Sequence, residues 1–157
     1  MSSERFDAAI ADLCDALALP DVDRVLKHRR IEIDGFDVAL HAGRDHEDGD
    51  ADDDALYLHM QYGIVTAGRT LTVFRLMLEA NLSIYAQDQA QLGLDDATGG
   101  IVMIVRVPLD DQVTGDWLVD LLDHYVEHGR YWKNNIFAST DEMFDAIATG
   151  AYLWIRA

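Results

Sequence analysis

The period of the hydrophobic positions changes several times along this chain, and each change marks an element. Phe6, Ile10, Leu13, Cys14 and Leu17 recur three and four residues apart behind Ser3, a capping residue, and predict an amphipathic helix that ends before Pro20. The period then falls to two. Ile31 and Ile33, then Asp34-Gly35, then Phe36, Val38 and Leu40 read as strands over about 28–33 and 36–42. Asp-Gly is the pair that tolerates the positive φ angles of a tight hairpin. Leu56, Leu58, Met60 and Tyr62 alternate with Tyr57, His59 and Gln61, which predicts a third strand with one face on a core; Gly63 and Gly68 bracket its exit.

From Thr70 the helical period returns. Leu71, Phe74, Met77, Leu78 and Leu82 lie on one side and Val73 and Leu76 on another, an apolar arc wider than one core contact uses. A second buried contact is implied, and symmetric self-pairing is the commonest kind, so these five residues are the candidate dimer interface. A weaker strand is expected at about 84–92. After the turn Asp95 to Gly100, Ile101 to Val107 is nearly continuously apolar and β-branched, the pattern of a strand covered on both faces. Pro108 and Gly115 frame a short loop. Trp117, Leu118, Leu121, Leu122, Tyr125, Trp132 and Ile136 then trace a third helical stripe containing Gly129, with its aromatics read as core packing. Ser139 and Glu142 have capping-box spacing ahead of Met143, Phe144 and Ile147, which predicts a short last helix. The order is αβββαββα plus that helix, an α+β class with an antiparallel sheet, as a single domain over 1–157 with its core at about 4–137.

Composition narrows the function. Half of the 157 residues are hydrophobic and two are proline, so a self-sufficient core is expected. The N-terminal residues have no basic segment followed by an apolar run, and no stretch approaches the roughly 20 apolar residues of a bilayer span, which reads as a cytoplasmic protein. The one cysteine, Cys14, sits among apolar helix positions and reads as a small hydrophobe. Twelve Lys and Arg against 29 Asp and Glu give a formal charge of −17, which repels nucleic acid and anionic membrane. Asp45, Glu47, Asp48, Asp50, Asp52, Asp53 and Asp54 crowd one predicted loop, from Arg44 to Asp54; setting those seven aside still leaves −10.

Three motifs bear on chemistry. His124-Tyr125-Val126-Glu127-His128 spells H-x-x-E-H, in which two histidines four apart on a helix bind zinc and the glutamate acts as general base. Such a site needs a third ligand downstream, and the 29 residues after His128 offer Glu142, Asp141 and Asp145. His124, Glu127 and His128 therefore read first as a solvated face and second as a zinc hydrolase site. Asp48-Gly49-Asp50-Ala51-Asp52 starts like a calcium loop, then has Asp53 where glycine is needed and His59 where a bidentate glutamate is needed. The basic cluster Arg24, Lys27, His28, Arg29 and Arg30 lacks interleaved aromatics and reads as pairing with the chain's own acids or an acidic client. No catalytic residue, metal or cofactor is assigned.

The chain resembles the Tir-chaperone (CesT-type) family of class I type III secretion chaperones in element order, length and acidity. Leu78-Glu79-Ala80-Asn81-Leu82, Leu92-Gly93-Leu94-Asp95 leading through Thr98-Gly99 into Ile101-Val102-Met103, the helix with Trp132, and the opening from Phe6 to Leu19-Pro20-Asp21 carry the likeness. The resemblance implies a homodimer across the second helix and its neighbouring strand, around which an extended N-terminal segment of a secreted effector wraps, with no nucleotide-driven cycle. The candidate effector-binding residues are Leu13, Leu17, Ile31, Ile33, Phe36, Val38 and Leu40, of which whichever face packs on the core is excluded. Two departures, the acidic loop 44–54 and the extension 139–157, bear on effector choice and on docking to secretion apparatus components. The other function class that an acidic binding domain allows is an immunity or inhibitor protein against a basic toxin.

Overall fold

Asp34 and Gly35 sit at φ of 49° and 84°, the two positive angles of a tight hairpin turn, and they join β1 (Arg30–Ile33) to β2 (Phe36–Ala42). The turn sets the register, pairing Ile31 with Val38 and Ile33 with Phe36, so all four side chains fall on one face. That face is buried. The computed structural model describes residues 2–43, 54–138 and 140–148. The predicted acidic loop 44–54 but for Asp54, the partial calcium motif but for its end, Ser139 of the capping box and the last nine residues lie outside them.

Among the described residues the further elements are α1 (Ser2–Ala16), α2 (Val22–His28), β3 (Ala55–Ile64), α3 (Thr70–Asp88), β4 (Ala90–Asp95), β5 (Gly100–Pro108), α4 (Gly115–Trp132), a π-helical turn (Lys133–Phe137) and α5 (Asp141–Ala148). The five strands form one sheet in the order β1-β2-β3-β5-β4, and β1–β2 and β4–β5 are antiparallel. The α+β class and the element order are those read from the sequence, with two exceptions.

The first is α2, where the sequence showed only a basic cluster. Seven residues are too few to display a period, but Asp21 caps the helix through a bond from the Arg24 N–H at 3.0 Å, and Arg29 ends it at φ 51°. The second is the stretch expected as a strand from 84, which continues α3 to Asp88 because Ile84 extends the buried stripe of Val73, Met77 and Ala80. Gln89, at φ 53°, closes the helix, and the strand starts at Ala90.

The chain divides into two compact units, residues 1–59 with 106–126 and residues 60–105 with 127–157. In the first, Phe6, Ile10, Leu13 and Cys14 of α1 are buried, as are Ile31, Phe36, Val38, Leu40, Leu56 and Leu58 of the strands. Arg5 binds Asp54 at 3.0 Å, and the Arg29 guanidinium lies 5.1 Å over the Phe6 ring. In the second, Tyr62, Val73, Ala80, Met103 and Trp132 are buried. A Cβ on Gly129 would lie 2.4 Å from the Tyr62 ring, so only glycine permits this approach. The turn before α3 is tied to the C-terminal residues of the same unit: Thr66 donates to the Phe137 carbonyl at 3.1 Å, Arg69 donates to the Ile136 carbonyl at 3.2 Å, and its guanidinium lies 4.5 Å over Phe144. Phe144 of α5 is accordingly buried, as its place in the predicted last helix requires.

Candidate functional site

Three of the six large hydrophobic residues that are exposed among the described residues lie on α3. At 3.6 residues per turn, Val73, Met77, Ala80 and Ile84 share one face, and all are buried. Leu71, Leu78 and Leu82 share the opposite face and are 84, 73 and 82 % exposed. The over-wide apolar arc thus resolves into two stripes, one for the core and one for solvent. Of the five candidate interface residues, Leu71, Leu78 and Leu82 lie on the exposed stripe, Phe74 is half-buried at its flank, and Met77 belongs to the core. Met77 precedes Leu78 by one residue and is therefore turned about 100° from it around the helix axis, which places it on the buried stripe. Arg75 and Glu79 pair at 3.3 Å, an exposed bridge of little energetic weight that gives this side of the helix a polar flank.

The candidate effector-binding residues have a different fate. Leu13, Ile31, Ile33, Phe36, Val38 and Leu40 are all buried, and Leu17 alone is half-buried. These six are core residues of the chain rather than the walls of an open groove. The reason was present in the sequence: a two-residue turn forces Ile31, Ile33, Phe36, Val38 and Leu40 onto a single face, and a face that apolar is the one that must be covered. The hairpin's other face carries Arg30, Glu32, Asp37, Ala39 and His41. Arg30 pairs there with Asp37 at 2.6 Å, so one member of the basic cluster does meet the chain's own acid.

The H-x-x-E-H residues are held in ways that serve structure. Trp132 donates its indole N–H to His128 Nε2 at 3.3 Å, and an indole can only donate, so Nε2 is the acceptor. The neutral ring therefore carries its proton on Nδ1, which donates to the Tyr62 hydroxyl at 3.1 Å. Both nitrogens of His128 are engaged, and a metal would have to displace Trp132 or Tyr62. Glu127 is paired with Arg130, and His124 is exposed, edge-on to Tyr125. Among the described residues no three His, Cys, Asp or Glu side chains stand close enough together to hold a metal ion. Burial pushes the Cys14 thiol above its ordinary pKa, the environment of an inert core cysteine rather than a nucleophile.

Asn81 escaped the sequence reading as a functional residue. It lies on α3, and its side chain bonds both backbone groups of Leu92, at 2.9 and 2.6 Å. The one signal was its place inside the Leu78-to-Leu82 run on which the family resemblance rested. No described helix is long and apolar enough to cross a membrane.

Comparison with known proteins agrees with this geometry. Two solved structures share the fold: "Crystal Structure of the ExsC-ExsE Complex", at TM-score 0.65 and 17 % identity over 89 % of this chain and 98 % of that one, and "Structure of the HopA1-SchA Chaperone-Effector Complex", at TM-score 0.52 and 18 % identity over 79 % and 96 %. No curated protein matches the sequence. The model of the Tir chaperone protein (CesT) family matches residues 49–133, which include the exposed face of α3, Asn81 and the helix with Trp132. The match spans more than half of the sequence, and the chain belongs to the Tir chaperone protein (CesT) family.

Proposed function

We propose that this protein is a cytoplasmic chaperone for a type III secretion effector, which binds an extended N-terminal segment of that effector and keeps it soluble and competent for export. The observation that carries the reading is the family match over residues 49–133. Two structures of the same fold, each holding a protein partner, support it, and one of them is described in words as a chaperone–effector complex. The chemistry is that of binding without catalysis. An extended segment loses roughly 1–2 kcal/mol of backbone entropy per residue on being ordered, so tight binding needs many anchors along a long path. The charge of −17 keeps the loaded complex soluble and repels nucleic acid.

The functional unit in this reading is a homodimer joined through Leu71, Leu78 and Leu82 of α3. Three leucines on one face, each more than 70 % exposed, are an apolar surface that a second copy can cover. A stable interface of this kind buries on the order of 1,200–2,000 Å². The test is to co-produce the protein with effectors encoded beside it, then truncate the captured partner. The expected result is retention of the partner's N-terminal segment alone; retention of its folded domain alone overturns the chaperone reading.

A further inference from the structure

Of the twelve lysines and arginines in the chain, set against 29 acids, Arg24, Lys27, Arg29 and Arg30 fall within one short stretch. The fold engages two of them internally. Arg29, in the left-handed conformation that ends α2, lays its guanidinium 5.1 Å over the Phe6 ring, and Arg30 pairs with Asp37 at 2.6 Å. Arg24 and Lys27 remain. Val25 is the buried residue of α2, and at about 100° per residue Arg24 and Lys27 share the side turned away from it, with His28 flanking Arg24; all three are exposed. Asp21 is occupied in capping the helix through the Arg24 N–H, and Asp23 stands four residues before Lys27 without pairing with it. No acid among the described residues forms an ion pair with Arg24 or Lys27.

We propose that this face of α2 docks an acid-x-acid sequence in an extended segment of a protein partner. Side chains three apart on a helix have Cβ atoms about 5–6 Å apart, and alternate side chains of an extended segment, at about 3.3 Å per residue, stand roughly 6.6 Å apart on one side. Two acids separated by one residue therefore match Arg24 and Lys27. An extended partner also fits the neighbourhood, because β1 begins at Arg30 and is an edge strand with open backbone groups. The charge of −17 repels an acidic segment, but at physiological salt the field decays over about 8 Å, so the nearest charges decide the contact. That the partner is the effector rests on the chaperone function proposed above; the chemistry of the face does not.

The test uses the full chain and two capped peptides, Thr-Ser-Glu-Val-Glu-Ser-Thr and its counterpart with Gln in place of both Glu, titrated while amide signals are followed by NMR. The Glu peptide should shift the signals of residues 22–30 and bind roughly 2- to 30-fold more tightly than the Gln peptide, the worth of two exposed ion pairs. Salt at about 1 M, where screening acts within roughly 3 Å, should erase the difference. Arg24→Gln with Lys27→Gln, both at exposed positions, should erase it too while the fold is kept. Equal binding of the two peptides, shifts confined to other residues, or a preference that survives in the double variant overturns the proposal. A preference that appears only once Asp48, Asp50, Asp52 and Asp53 are changed to Asn makes the chain's own acids the occupant and overturns it equally. An effector segment that binds the native protein and the double variant with equal affinity overturns the proposal and leaves the chaperone reading standing, whereas a protein that prefers the Glu peptide but retains no effector refutes the chaperone reading alone.

Discussion

Met77 and Leu78 are neighbours in sequence and chemically alike, yet a charge at each should have opposite consequences. Met77 is 6 % exposed and faces the chain's own core, whereas Leu78 is 73 % exposed on the proposed dimer face. Covering a leucine side chain contributes about 1.5–3 kcal/mol. Two-fold symmetry counts each residue twice, so Leu78→Asp removes about 3–6 kcal/mol from pairing, a weakening of about 10²–10⁴-fold. That change turns a dimer of micromolar affinity into a monomer at any ordinary working concentration. The fold of the protomer should be untouched, since an exposed substitution alters stability by about 0.5 kcal/mol or less. Met77→Asp instead puts an unpaired charge into the core and should unfold the protomer. Sedimentation and far-UV circular dichroism separate the two outcomes: Leu78→Asp should be a folded monomer and Met77→Asp should lose its secondary structure. A native protein that sediments as a stable monomer of 17.6 kDa at micromolar concentration refutes the reasoning, as does a Leu78→Asp variant that stays dimeric.

Gly129→Ala tests the close approach of α4 to β3: glycine to alanine in a helix ordinarily stabilises by about 0.5–1 kcal/mol, but a Cβ 2.4 Å from the buried Tyr62 ring costs about 1–3 kcal/mol. Urea unfolding should show a net loss of stability, and a net gain would mean that Tyr62 moves freely. Burial raises the Cys14 pKa, so native protein at pH 8 should resist a disulfide reagent and react on unfolding; rapid native reaction contradicts the buried site. The unfolded thiol ionises first, so Cys14 contributes its stability below the unfolded pKa and loses it as pH rises past that value, a decline Cys14→Ala should lack.

The fold was legible where a period had room to repeat. The hairpin, β3, α3, β5 and α4 each show several turns or alternations, and the Asp34-Gly35 turn marks its own location. α2 is too short for that, and only the capping of Asp21 identifies it. Ile84 shows why the helix boundary was missed: β-branched side chains favour strands, but the stripe begun at Val73 decides its conformation. The α3 surface was half legible. An over-wide apolar arc signals two contacts, yet assigning Met77 and Leu78 to different stripes requires knowing where the core lies. The hairpin residues were open to a stricter reading, since the turn already placed them on one face. Asn81 was beyond reach, because its bonds to Leu92 depend on how β4 lies beside α3.

The central claim is that this chain holds an extended N-terminal segment of a secreted effector. Titration calorimetry of the purified protein against that segment, and separately against the folded remainder of the same effector, tests it most directly. The account predicts tight binding of the segment, with the negative heat-capacity change of apolar burial, and no measurable binding of the remainder. A partner whose folded domain binds while its isolated N-terminal segment does not would contradict it.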